Sequence, residues 1–158
     1  MTALWGTTAG NIIMTFLISM VPVLELRAAI PLGVYNGLGI LTALVVAIIG
    51  NILPAPFIIV FIRKIFEWMQ SKSELLAKLV RKFEDKADRN KDKVLKYEFW
   101  GLMILVAIPL PGTGAWTGAL VAAMLNMQLK RAMPAIIVGV IVAGLIVTTA
   151  TYGVSAII

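Results

Sequence analysis

The chain has 158 residues, 60% hydrophobic and only 14% charged, with a mean hydropathy of +0.96. A soluble domain carries about 25% charged and about 45–50% apolar residues, and a core this small cannot hide the surplus, so composition predicts a single-domain integral membrane protein. The absence of cysteine and histidine excludes disulfides, cysteine nucleophiles and the usual zinc sites; no enzyme, cofactor or metal is expected.

The net charge of +6 is not spread along the chain. Eleven of the 14 basic and seven of the eight acidic residues lie between Arg63 and Glu98. Such a mixed block reads as a solvated cytoplasmic segment and not as a nucleic-acid surface, with membrane lipids the natural neighbours. No Lys or Arg precedes the first apolar run and no A-x-A cleavage site follows it, so the N-terminus is expected to belong to the mature fold.

Three regions follow in order: 10–62, the linker 63–98, and 99–158. In the first, Asn11 to Gly37 is broken at Pro22 and carries Glu25 and Arg27. Its two limbs of about 12 residues each reach roughly 18 Å as helices, short of an apolar layer of about 30 Å. Ile40 to Ile62 then supplies one full span, ending at Arg63 and Lys64, with Asn51 near its middle and Pro54 and Pro56 just beyond.

The linker opens with a capping box, Ser71 to Glu74. Leu75, Leu76, Leu79, Val80 and Phe83 recur at helical spacing opposite Lys78, Arg81, Lys82 and Lys86, predicting an amphipathic helix on the cytoplasmic membrane surface. "DKADRNKDK" then reads as a polar turn.

The second half repeats the first. Phe99 to Leu129 is interrupted by "IPLPGTGAWTG", and Met133 to Ile158 is a full span preceded by Lys130 and Arg131. Prolines and glycines at this density suit backbone that is buried in protein or lines a cavity. The fold predicted is all-α: two repeats, each a re-entrant helical hairpin followed by a transmembrane helix, with breaks at Pro22, Pro31, Pro109 and Pro111. Two other divisions are compatible with the apolar runs, namely about six ordinary spans, or a complete span over Leu4 to Val21 before a shorter hairpin.

Lys and Arg mark the cytoplasmic side. The block 63–98 and Lys130–Arg131 are therefore expected inside and both termini outside, which inverts one repeat relative to the other and brings the hairpin tips together at the midplane. This is a recurring transporter architecture.

Charge inside a membrane costs about 2.5–3.5 kcal/mol per residue on insertion scales and marks a functional site by default. Glu25 and Arg27 are thus the leading candidates. A carboxylate in a partly desolvated site is suited to proton exchange, and the guanidinium fork suits phosphate or carboxylate. The alternative role for the pair is a structural ion pair. In the facing break, Gly112 and Gly114 allow close backbone approach, Thr113 and Thr117 offer hydroxyls, Trp116 stands beside them, and the free N–H groups of the second limb could cradle an anion. Asn51 either caps the bent helix or faces this cavity. Gly139 and Ala143 have small-xxx-small spacing, which suits helix packing, including between protomers.

"ELRAAIPLG" together with "AIPLPGTGAWTG" resembles the signature pair of the small multidrug export protein family, itself similar to the DedA (VTT-domain) superfamily. The resemblance implies facing re-entrant hairpins and, for DedA-type proteins, translocation of lipids or lipid-linked phosphates driven by the proton motive force, with Glu25 as the embedded acid and Arg27 the adjacent base. DedA proteins carry arginines around the second Pro-Gly motif, and Ile108 to Gly118 has none. The function expected is a translocase of lipid or lipid-linked anions in the cell membrane, working as a homo-oligomer, with a dimer favoured. The alternatives are a proton-coupled exporter of lipophilic cations and a non-transporting membrane-structure protein.

Overall fold

The computed structural model describes residues 6–72, 91–110 and 113–153. Among them the regular structure is entirely helical. Of the amphipathic linker helix expected over 71–83, Ser71 and Lys72 belong to the end of the preceding long helix, where a helix start is expected, and the rest lies outside the described residues, as does Pro111.

α1 (Thr8–Met20) begins at Thr7, whose hydroxyl accepts the Gly10 N–H at 3.1 Å. It ends where Pro22 forces Val21 into extended backbone, φ −76° and ψ 128°. After a four-residue turn, α2 (Glu25–Tyr35) runs back against α1. The ends of this hairpin meet: the Asn11 amide, near the start of α1, donates to the Asn36 carbonyl beyond the end of α2 at 2.5 Å. Pro31 corrects the expectation of a second break, because it lies inside α2. Its missing N–H removes one hydrogen bond, and the surrounding packing on α1 and α3 keeps the helix going.

α3 (Ile40–Ile52) and α4 (Pro54–Lys72) share one long apolar segment, Ile40–Ile65. Leu53 separates them, since neither Pro54 nor Pro56 can donate to the preceding turn. α5 (Lys91–Ala107) already covers 91–98 of the charged block, ahead of the expected boundary at 99, and Lys91–Lys93 are helical where a polar turn is expected. α6 (Ala115–Met124) is short, and α7 (Leu129–Tyr152) is long and apolar. α7 begins four residues earlier than expected and stops at Gly153, whose φ of 81° suits a glycine terminus. Ile40–Ile65 and Leu129–Tyr152 are long and apolar enough to cross a membrane, whereas Thr8–Met20, Tyr97–Ala107 and Ala115–Met124 are apolar and shorter.

The turns α2–α3 and α6–α7 are built alike. Leu38 N–H bonds Gly33 C=O and Gly37 N–H bonds Val34 C=O, both at 3.0 Å; Met127 N–H bonds Ala122 C=O at 2.9 Å and Asn126 N–H bonds Ala123 C=O at 3.1 Å. Both are Schellman motifs. Gly37 (φ 98°) and Asn126 (φ 52°) hold the left-handed position, and the buried Leu38 and Met127 follow them. Glu98, midway along α5 where its apolar stretch Tyr97–Ala107 begins, lies within electrostatic reach of Arg131 at the start of α7.

Small residues set how closely the helices approach. α1 turns Asn11, Thr15 and Ser19 inward, and Gly33 and Gly50 meet that stripe. The stripe is satisfied locally: Thr15 donates to the Asn11 carbonyl at 2.8 Å and Ser19 to the Phe16 carbonyl at 2.7 Å. Gly139 of α7 sits equally close to α5, where an added Cβ would come within 2.8 Å of the Met103 carbonyl and 2.7 Å of Val106. The halves are also exchanged against each other. α6 packs chiefly on α4, α2 reaches α7, and α3 packs along α7.

Candidate functional site

The tips of the two hairpins meet. In the first, the turn over 21–24 bends sharply enough to place Val23 at φ 75° and Glu25 at φ 43°. Left-handed backbone at a β-branched residue is an outlier, and each such residue costs about 1–3 kcal/mol that surrounding contacts must offset. The result is that the Glu25 side chain, only 5% exposed, points across to the other half of the chain.

There Glu25 Oε1 accepts the Trp116 N–H at 3.3 Å. Trp116 is the second residue of α6, whose N-cap, Gly114, offers no side chain to its own helix. Glu25 therefore caps α6 from the opposite half while standing in the first turn of α2. A carboxylate placed at two helix N-termini is stabilised by both dipoles, which explains how one negative charge is tolerated here. Gly114 makes room for it. Its φ of 115° with ψ −167° belongs to glycine, and a Cβ there would land on the Glu25 carboxylate.

Arg27 reaches the same tip by a different route. Its Nη2 donates to the Leu110 carbonyl and, at 3.3 and 3.4 Å, to the carbonyl and hydroxyl oxygens of Thr113. The two charges of the first hairpin are thus each held by the second. Thr113 organises its own turn, with Oγ1 at 2.5 Å from the Ile108 carbonyl and 2.8 Å from that of Leu110. The Trp116 indole N–H donates to the Met20 carbonyl at 2.9 Å, closing the end of α1 over α6.

Beneath the tips is a small cavity bordered by Glu25, Arg27, Asn51, Pro109 and Gly114, with Val106 and Val140 among the apolar walls. Its space is on the order of one water molecule. Asn51 is 1% exposed and its Oδ1 is buried without a hydrogen-bond partner. Of the two roles open to Asn51, facing the cavity is the one its position favours. Glu25, Arg27, Asn51 and Gly114 are brought together here. Thr113 and Trp116 brace the tips, Thr117 lies part-buried in the first turn of α6, and Gly112 is outside the described residues. Sequence reasoning missed the carbonyls of Met20 and Leu110, because every residue has one. It also missed the valines of α5 and α7, which resemble any other apolar residue of a span.

Fold and site define a helical membrane protein whose two halves clasp a buried acid and a base between short apolar hairpins. Residues 25–146 match the family model described as "Putative small multi-drug export protein", and the chain belongs to that family. The match starts at Glu25, just after the turn 21–24, and takes in Glu25, Arg27 and the tip of the second hairpin. No curated protein and no solved structure matches the chain.

Proposed function

We propose that the chain is a small transporter built from two inverted repeats, whose re-entrant hairpins α1–α2 and α5–α6 meet near the bilayer midplane around Glu25 and Arg27. The reading rests chiefly on one observation: each charge of the first hairpin is bonded to the tip of the second. Moving the hairpins apart breaks both sets of bonds, so any ligand that replaces them couples to that motion. Helices too short to cross, a first hairpin that returns to its own entry side, and matching exit turns support the inverted arrangement.

The donors at the tips favour an anionic substrate group: a guanidinium fork and the N-terminus of α6 both suit phosphate or carboxylate. The likeness of both motifs to DedA-type proteins supports lipid or lipid-linked anions as the class and the proton motive force as the drive. The protein would work in the cell membrane as a homo-oligomer, with the block 63–98 cytoplasmic and both termini outside. The family's description favours a second reading, export of small lipophilic molecules with Glu25 as carrier carboxylate. Arg27 beside that carboxylate opposes a cationic substrate.

Flux of fluorescent phosphatidylglycerol, and separately of a lipophilic cationic dye, in proteoliposomes under an imposed pH gradient tests both readings. Glu25→Gln and Arg27→Ala are expected to lower lipid flux at least tenfold while the protein stays folded. Unchanged lipid flux in both variants sinks the site. Dye flux that depends on Glu25, without lipid flux, establishes the second reading instead.

A further inference from the structure

The cavity holds an acceptor with no donor. A buried amide carbonyl left unpaired is disfavoured and calls for a reason. Asn51 Oδ1 is such an atom, and Asn51 borders the same cavity as Glu25, Arg27 and Gly114. Arg27 commits Nη2 to Leu110 and Thr113. Glu25 as a carboxylate only accepts, and it already accepts from Trp116. Once protonated, the same group carries one O–H donor. Among the described residues bordering the cavity, Arg27 is the charged group that faces Glu25. α1, α3 and α6 carry no ionisable side chain, and Lys130, Arg131 and Tyr152 of α7 stand at its two ends.

We infer that Asn51 is the acceptor to which Glu25 turns on taking up a proton, and that this turn clears the α6 N-terminus and Arg27 for one substrate anion. The exchange half rests on the anionic reading above; the Glu25–Asn51 half does not. The balance is simple. A proton from water bonds to a Glu25 oxygen, the new O–H donates to Asn51 Oδ1, and the site loses one negative charge. The Trp116 N–H, left without its carboxylate, and the Arg27 fork then donate to one singly charged oxyanion, which restores that charge. Glu25 is thus the built-in stand-in for the substrate anion. Gly114 is the residue that lets either group approach, because a side chain there would fill the position both need. One proton and one anion move together, so the step is electroneutral.

Infrared difference spectroscopy of the full chain in lipid nanodiscs, between high and low pH, reads the first half without any transport. In the wild type, acidification is expected to raise a carboxylic-acid carbonyl band and to shift a side-chain amide band with it. Both disappear in Glu25→Gln. Asn51→Leu keeps the acid band but moves it to higher frequency, as for an acid whose O–H has lost its acceptor. Carbon-13 labelling of asparagine in the wild type should move the amide band, which covers the case of Asn51→Leu failing to fold. An acid band unmoved by Asn51→Leu, or an amide band unmoved by the label, overturns the pairing. For the second half, pH-driven movement of phosphatidylglycerol, or uptake of inorganic phosphate at a pH where it is the monoanion, in proteoliposomes should be unchanged when the membrane potential is clamped at either sign. The two arms separate a lipid headgroup from a free anion. Flux that follows the potential overturns one-for-one exchange. Absence of flux beside an intact infrared pair sinks the transport reading and upholds the Glu25–Asn51 pair.

Discussion

At the scale of single residues, the site depends on positions where the backbone does what most residues avoid. Val23 and Glu25 are left-handed, and Gly114 adopts a conformation that costs other residues about 1–3 kcal/mol. Gly114→Ala adds to that strain a methyl group placed on the Glu25 carboxylate. It is expected to lower the melting temperature in detergent and to abolish flux. Gly37 separates the two effects, because its φ is 98° while nothing lies within 4 Å of an added Cβ. Gly37→Ala should therefore lose about 1 kcal/mol of stability and keep wild-type flux. Equal loss of flux in both variants would show that the Gly114 effect is general destabilisation.

Whole helices follow a similar logic, in which helix propensity competes with close approach. A glycine inside a helix is less favourable than alanine by up to about 1 kcal/mol. Gly101 of α5 has open space around it, so Gly101→Ala should stabilise the protein by up to about that amount. Gly139 of α7 lies against Val106 and the Met103 carbonyl, where a methyl group must push α5 and α7 apart. Overpacking of that kind costs about 1–3 kcal/mol and outweighs the gain in propensity. Opposite signs for the two substitutions in thermal unfolding are the expected outcome. A stabilising Gly139→Ala would mean that the α5–α7 contact is looser than described.

For the whole molecule, the question is whether the second half is turned over relative to the first. The chain has no cysteine, so single introduced cysteines report cleanly. Tyr35, at the end of α2, and Met124, at the end of α6, hold matching places before their turns and are 87% and 66% exposed. In the inverted arrangement Tyr35→Cys is labelled from outside and Met124→Cys from the cytoplasm by a membrane-impermeant reagent. Labelling of both from one side refutes the inversion. It would leave the clasp between the tips intact but remove the alternating-access argument.

The sequence alone determined the solvent of this protein and the punctuation of its chain. Apolar runs of sufficient length, Pro22, Pro109 and the charged block are local properties, and they fixed the two long segments, the two interrupted ones and the residues carrying charge. Pro31 misled because a proline's cost is also local, and tertiary packing can carry a helix through it, as α1 and α3 do for α2. That 91–98 is helical was illegible because a polar run is compatible with loop or helix alike. The partners of Glu25 and Arg27 were decided only by the fold. Apart from the Thr113 hydroxyl, they are backbone groups of residues 83 to 91 positions away, and backbone amides and carbonyls leave no mark in composition or spacing. The orphan Asn51 oxygen is a property of that same assembly, visible only once two distant turns close over one cavity.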